Sequence, residues 1–235
     1  MKVATVKLEG QQRSYLLFEY ASSSTPLHLY KDERSRLLEQ VASSEIYFDE
    51  STGTMAKVKS DKHLWRQRPL RWFFRDFIEK RLLFQFEARK EVRSKKVVRA
   101  AGLLTPHCVA WGVSLNPFNR RGSLLLMEHL DGVMTGEQYF KGLDEASRRR
   151  FLAQFCEDIM RLARAGYVHR DLHMNNVLCK PTGTIIWVDT HVKPMPRGNR
   201  AKWRAIYRSI SQRGLLDDHY RQWIHDDMKQ RWLAS

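Results

Sequence analysis

Long apolar runs are missing from this 235-residue chain. A bilayer-crossing helix needs about 20 consecutive apolar residues, and no stretch approaches that length. The opening Met1-Lys2-Val3-Ala4-Thr5-Val6-Lys7 also lacks the apolar stretch of a signal peptide, so the expectation is a cytoplasmic protein. Cysteine is scarce: Cys108, Cys156 and Cys179 are widely spaced and odd in number, which argues against a disulfide framework and for buried free thiols. There is no internal repeat, no low-complexity tract and no glycine-rich G-x-G-x-x-G loop to cradle phosphates. Acid is short relative to base, with 26 Asp+Glu against 41 Lys+Arg and a net charge of +15. That imbalance points to an anionic partner such as a phosphosugar, nucleic acid or a membrane surface. Charge alone does not choose among them.

What is present is enough apolar material for a core, 43% hydrophobic with seven Trp, and one dense cluster of chemistry. Tyr167-Val168-His169-Arg170-Asp171-Leu172-His173-Met174-Asn175-Asn176 places Asp171 five positions before Asn176, and Asp189 follows thirteen positions later. Between them, Val177 to Cys179 and Ile185 to Val188 are short apolar runs around Lys180-Pro181-Thr182-Gly183-Thr184, the pattern of a β-hairpin with a Pro/Gly turn. The hairpin brings Asp189 back beside Asn176. Phosphoryl transfer asks for such a set: a carboxylate at the attacking hydroxyl, and oxygen donors that hold Mg²⁺ against the phosphates.

At these residues the chain resembles the protein-kinase-like superfamily, whose catalytic loop reads H-R-D-x-x-x-x-N. The D-L-H-x-x-N form is most similar to the branches acting on small molecules and on the lipopolysaccharide core. Asp189-Thr190-His191 stands where protein kinases carry Asp-Phe-Gly, so the Phe of that motif is missing. The resemblance implies roles residue by residue. Asp171 accepts or orients the hydroxyl proton, His173 reaches the γ-phosphate, and Asn176 with Asp189 holds Mg²⁺. His169 and Arg170 brace the loop.

Upstream, Val3 to Leu8 and Ser14 to Tyr20 flank Glu9-Gly10-Gln11-Gln12 as a first hairpin, closed by the loop Ser22 to Pro26. Asp32 to Val41 is a short helix. A second hairpin pairs Ile46-Tyr47-Phe48 with Thr54 to Val58 across Asp49 to Gly53, and any phosphate-covering loop must use Ser43-Ser44 or the Gly53 turn. Met55-Ala56-Lys57-Val58-Lys59 is similar to the kinase strand V-A-I-K. Lys57 is the chosen phosphate-gripping lysine, although Lys59 shares its strand face. Phe73 to Ala101 is free of Gly and Pro and predicts one or two helices capped by Gly102. Lys90 to Pro106 resembles the lipopolysaccharide-kinase segment that leads into Gly-x-x-Thr-Pro, which nominates Glu91 as the partner of the strand lysine, with Glu87 one turn away. Val109 to Val113 and Ser123 to Met127 read as strands, and Met127-Glu128-His129-Leu130-Asp131-Gly132 resembles the kinase hinge at the adenine edge. Asp144 opens an amphipathic helix that carries Phe151, Phe155, Ile159 and Leu162 on one face and ends at Gly166.

Two basic stretches remain. Lys62 to Arg81 interleaves seven cations with Trp65, Trp72, Phe73, Phe74 and Phe77; Lys193 to Arg213 carries seven cations with no acid between them. Both suit an anionic membrane surface, and neither shows a nucleic-acid reading motif. Only 46 residues follow Asp189, without an Ala-Pro-Glu. Protein kinases need more chain than that to hold a polypeptide, so a small or glycolipid acceptor is expected. The sum is an α+β, protein-kinase-like two-lobed fold with a reduced C-terminal lobe, residues 1–130 forming the first lobe and 131–235 the second. The expected activity is phosphate transfer from ATP, with Mg²⁺, to a heptose or Kdo hydroxyl of the lipopolysaccharide inner core, on the inner face of the cytoplasmic membrane. The rival readings are a kinase-like enzyme with an antibiotic, metabolite or protein acceptor, and a basic binding module without catalysis.

Overall fold

The computed structural model describes residues 1–18, 27–39, 44–60, 67, 69–71, 73–74, 78, 86–116, 118–211 and 216–234. It divides into two compact units, Met1–Val92 with His107–His129, and Arg93–Pro106 with Leu130–Ser235. The segment Arg93–Pro106, expected with the N-terminal half, groups with the second unit.

The first unit is built on a seven-stranded sheet. In chain order its strands are β1 (Lys2–Leu8), β2 (Gln11–Phe18), β3 (Leu27–Leu29), β4 (Glu45–Asp49), β5 (Thr54–Lys59), β6 (Cys108–Ser114) and β7 (Ser123–Glu128). Their order across the sheet is β3-β1-β2-β6-β7-β5-β4. The β1–β2 turn puts both Glu9 (φ 48°) and Gly10 (φ 83°) in the left-handed region, the backbone of a two-residue hairpin turn whose twist matches the strands. A short helix α1 (Glu33–Glu39) starts where Asp32 accepts the Ser35 N–H at 2.9 Å, and a three-residue turn α2 spans Pro69–Arg71.

Side chains alternate across the sheet with period two, and the cores follow. Leu124 and Leu126 pack with Val6, Leu17, Tyr47 and Val58 on one face. Leu125 and Met127 pack on the other with Trp111 and Val113 and with Phe86, Ala88 and Val92, the last two from helix α3 (Glu87–Ala100). Of the helix expected over Phe73 to Ala101, α3 is the described part; residues 75–77 and 79–85 lie outside the described residues, as do 22–26.

The second unit holds β8 (Met134–Thr135), α4 (Gly136–Lys141), α5 (Glu145–Arg164), β9 (Tyr167–His169), β10 (Val177–Cys179), β11 (Ile185–Trp187), β12 (Val192–Pro194), α6 (Asn199–Ile210) and α7 (Asp218–Leu233). Helix α5 begins where Asp144 accepts the Ser147 N–H at 2.8 Å and is followed by Gly166 at φ 85°, a left-handed residue that stops the helix and turns the chain. It buries Phe151, Leu152, Phe155, Ile159, Met160 and Leu162, each contributing roughly 1.5–3 kcal/mol of apolar burial. Phe155 stacks on Trp187 of β11 with ring centroids 5.4 Å apart and planes within 7° of parallel. The Trp187 indole N–H donates to the buried Asp158 carboxylate at 3.1 Å. Burial of Asp158 raises its pKa. This helix and hairpin form the support on which the loop between β9 and β10 rests.

Candidate active site

The loop grows out of a two-stranded ribbon. β9 and β12 pair with His169 opposite Val192, the Arg170 N–H donates to the His191 carbonyl at 2.7 Å, and Ser209 Oγ of α6 donates to the His169 carbonyl at 2.6 Å. Leu172 and Met174 then turn into the core, and that anchoring leaves Asp171 projecting outward with 60% of its side chain exposed. A single turn of 3-10 helix, Met174–Asn176, leads into β10.

Asn176 ties the loop to the hairpin. Its buried amide Nδ2 donates to the Asp171 main-chain carbonyl at 2.6 Å, and its own carbonyl accepts the Val188 N–H at 3.0 Å. Since only the nitrogen can donate to a carbonyl, the amide orientation is fixed and Oδ1 remains as an oxygen donor. The expected hairpin forms, with Val177 opposite Trp187 and Cys179 opposite Ile185 and with Gly183 at φ 86° in its turn. The chain leaves it through Asp189, whose φ of 51° is unusual for a residue with a side chain. The His191 N–H closes this turn on the Asp189 carbonyl at 2.8 Å.

Three histidines surround these carboxylates. His173 Nε2 lies 3.8 Å from an Asp171 oxygen and His191 Nε2 lies 3.7 Å from an Asp189 oxygen. His169 is buried and accepts the Asp171 N–H through Nδ1 at 3.3 Å, which assigns its proton to Nε2, an atom with no hydrogen-bond partner among the described residues. Burial, reinforced by the charges of His191 and His173, pushes the His169 pKa down to about 4. It is therefore a neutral brace. Glu137 at the start of α4 lies beside the loop: Lys141 holds its carboxyl below the usual value, and Asn175 and His173 add to that.

The lysine and the helix glutamate meet in the first unit. Lys57 is opposite Leu125 in the β5–β7 register, which aims it at the face that α3 covers. Its ammonium is 3.3 and 3.4 Å from the two Glu91 oxygens, and both side chains are buried, at 8% and 2% exposure. Lys59 is opposite Ser123 and only partly buried, and Glu87 approaches Lys90 instead. Met127 is buried behind Met55 and Cys108. Glu128 is engaged within the sheet: its N–H donates to the His107 carbonyl at 3.0 Å and its carboxylate accepts the His107 N–H at 2.6 Å. The His129 N–H donates to the Gly53 carbonyl at 3.1 Å, which sets the Gly53 turn at the hinge-like end of β7. Ser44 is buried, and Ser43 lies outside the described residues. Leu130 follows at the head of the second unit, half-buried.

Among the described residues no cluster of three or more His, Cys, Asp and Glu could hold a metal. Mg²⁺ does not require one: it takes one or two protein oxygens, the substrate phosphates and water. Asn176 Oδ1 and the Asp189 carboxylate are hard oxygen donors of the right kind.

A buried lysine–glutamate pair joining strand to helix, an Asp-x-x-x-x-Asn loop and an Asp after the next hairpin are the working parts of the protein-kinase-like fold. The lipopolysaccharide kinase (Kdo/WaaP) family matches residues 38–206. The chain belongs to this family. It is accordingly an ATP-dependent phosphotransferase. Solved structures with a similar chain path include WaaP in complex with acyl carrier protein, at 16% identity over 86% of this chain and 78% of that one, TM-score 0.47. Vaccinia related kinase 3 aligns at 14% identity over 83% and 52%, TM-score 0.38. The PknI kinase domain of Mycobacterium tuberculosis aligns at 15% over 78% and 68%, TM-score 0.39. These are distant likenesses and carry no functional argument. No curated protein matches the chain.

Sequence reasoning passed over Gly136. A Cβ there would collide with a Val177 methyl and stand 2.7 Å from the Met174 carbonyl, so only glycine lets α4 approach the loop this closely. A signal was present: Thr135-Gly-Glu-Gln138 forms a capping box, with Thr135 Oγ1 accepting the Gln138 N–H at 3.2 Å and the Gln138 side chain accepting the Thr135 N–H at 3.1 Å. Of the first basic stretch, Arg71, Phe73 and Phe74 are described and exposed; Lys62, Trp65, Arg66, Arg68, Trp72, Arg75, Phe77, Lys80 and Arg81 lie outside the described residues, as does Arg213 of the second. No described helix is long and apolar enough to cross a membrane.

Proposed function

We propose that this protein moves the γ-phosphate of ATP onto a sugar hydroxyl, heptose or Kdo, of the lipopolysaccharide inner core, working at the inner face of the cytoplasmic membrane. Family membership supports the acceptor class. The observation that carries the site is the Asn176 amide bonded to the Asp171 carbonyl at 2.6 Å, because it fixes the loop in the form that exposes the Asp171 carboxylate and leaves an oxygen of Asn176 for a cation.

Asp171 orients the acceptor hydroxyl and takes its proton as the new O–P bond forms and the bond from the γ-phosphorus to its bridging oxygen breaks, with ADP as the leaving group. Its exposure gives an incoming sugar access, and His173 beside it supplies a donor toward the transferred group. Asn176 and Asp189 would hold Mg²⁺, which when bound neutralises charge on the phosphates. Lys57, oriented by Glu91, grips the phosphates, Met127 backs the adenine, and the main chain from Glu128 to Leu130 follows its edge. Because the N–H groups of Glu128 and His129 donate within the sheet, the adenine-facing donor in this reading is the Leu130 N–H. Little covalent chemistry is asked of the protein, and rate comes from positioning and electrostatics.

The test is transfer from γ-labelled ATP to purified, deacylated core oligosaccharide, with the product sugar located by mass spectrometry. A phosphate ester on a heptose or Kdo residue is expected. Phosphorylation of other acceptors with the core left unmodified would overturn the acceptor assignment.

A further inference from the structure

We propose that the outer face of α6 is a docking surface for an anionic bilayer, reached through Arg200, Arg204 and Arg208. These residues recur every four positions, so they form one stripe about 12 Å long on a straight helix. All three are exposed, while Ile206, Ser209 and Ile210 turn the opposite face into the core. Tyr207, 46% exposed, lies beside the stripe and offers the amphipathic ring that favours a headgroup boundary.

Among the described residues the stripe lacks counter-charge, in a molecule that pairs much of its helix-surface charge. On α5, Arg149 meets Glu145 at 2.9 Å and Arg164 meets Glu157 at 3.0 Å; on α7, Arg231 meets Asp227 at 2.5 Å and Glu157 at 2.8 Å. No acid occurs between Asp189 and Asp217, and among the described residues no carboxylate lies within 4.0 Å of the three arginines. The acids of α7, the helix packed on α6, are engaged elsewhere: Asp217 caps its helix, Asp218 meets Arg221, Asp226 accepts from Gln222, and Asp227 holds Arg231. An ordinary solvated face mixes signs; this one presents a single sign along a rigid rod, which complements a planar sheet of phosphates.

The location gives the surface a use. Ser209, on the buried side of α6, holds the His169 carbonyl at 2.6 Å, two residues before Asp171. A bilayer against the outer face of α6 therefore fixes the catalytic loop relative to the membrane plane. The inference rests on the reading above only in placing the acceptor in a membrane.

The experiment compares the full chain with R200Q/R204Q/R208Q in sedimentation with vesicles of phosphatidylcholine alone or with about 30% phosphatidylglycerol, which sets the negative surface potential. Glutamine keeps helix propensity at exposed sites. The wild-type chain is expected to pellet with the anionic vesicles, to release as salt rises and to ignore the neutral ones. The triple variant should lose on the order of 100-fold in partitioning, from about fivefold per cation, while its kcat on a soluble core oligosaccharide is unchanged. Undiminished pelleting of the variant, failure of the wild type to pellet, or equal binding to neutral vesicles overturns the proposal. Retention of a DNA duplex that depends on these arginines, without vesicle binding, would overturn it in favour of nucleic acid. Vesicle binding that is lost in the variant, together with no transfer to core sugar by either protein, would sink the acceptor assignment and leave the docking surface standing.

Discussion

Asn176 grips Asp171 by its main chain: the amide Nδ2 sits 2.6 Å from the Asp171 carbonyl oxygen, and the carboxylate is left to solvent. The five-residue spacing between them thus closes the loop on itself, and one side chain both orients the loop and offers an oxygen to a cation. Asn176→Asp removes the donor and sets a carboxylate against a carbonyl while keeping a cation ligand. Transfer should fall by about 100-fold in kcat/KM, since small misplacement of catalytic groups is costly. Near-normal kcat/KM in that variant would show that the bond does not position the loop.

Asp171→Ala should lower kcat by roughly 10²–10⁴-fold, the range for loss of a positioned acid–base group, with ATP affinity within a few-fold of wild type. Single-turnover transfer and nucleotide titration separate the two. A variant that keeps most of its kcat would remove Asp171 from the chemistry.

The ion pair makes a different prediction. Lys57 and Glu91 are both buried, and removal of one partner from a buried pair typically costs about 3–5 kcal/mol. Lys57→Met and Glu91→Leu should each weaken ATP use and lower the melting temperature. The double variant should recover stability without recovering activity, because an apolar pair tolerates burial but cannot grip phosphate. Additive losses of stability would show that the two side chains act independently.

How much of this was legible in the sequence depended on distance along the chain. The Asp171, Asn176 and Asp189 spacing is local, and the hairpin between Asn176 and Asp189 is readable from its apolar runs and Gly183 turn and is present in the structure. Asp144 and Gly166 marked the ends of α5 for the same reason. The choice of Lys57 over Lys59 was different, because both face the same side of β5 and only the approach of α3, 34 residues away, distinguishes them. β9 and β12 are three-residue strands that pair with each other across more than twenty positions, too short for a two-residue period to register and too far apart for a turn signal. Glu128 was read through its resemblance to a hinge, and a strand pattern cannot reveal that its carboxylate caps the His107 N–H.

Gly136→Ala tests the close approach of α4 to the loop. The added methyl meets the Val177 side chain and the Met174 carbonyl, and neither main-chain atom nor buried methyl can yield without moving the residues that lead into Asn176. Overpacking of this kind costs about 1–3 kcal/mol, so a lower melting temperature and a reduced kcat should appear together. An alanine variant with unchanged melting would mean that α4 shifts freely.

His169 makes stability depend on pH in a defined window. Its folded pKa is pushed down to about 4 by burial, whereas in the unfolded chain it titrates near the ordinary value of about 6.5. Below pH 6.5 the unfolded state therefore binds a proton that the folded state refuses, and unfolding becomes easier with each further step toward pH 4. The contribution is fully present above pH 6.5, declines between 6.5 and 4, and amounts to on the order of 3 kcal/mol across that window. The Nδ1 bond to the Asp171 N–H is part of the same balance, because Nδ1 can accept that hydrogen only while it is unprotonated. Urea unfolding of the wild type and of His169→Gln at a series of pH values isolates the effect, since every other titrating group is common to both. The difference between the two curves should tilt by up to one proton between pH 6.5 and 4 and run level above pH 7. Parallel curves throughout would mean that folding leaves the His169 pKa at its ordinary value, and the neutral brace would be wrong.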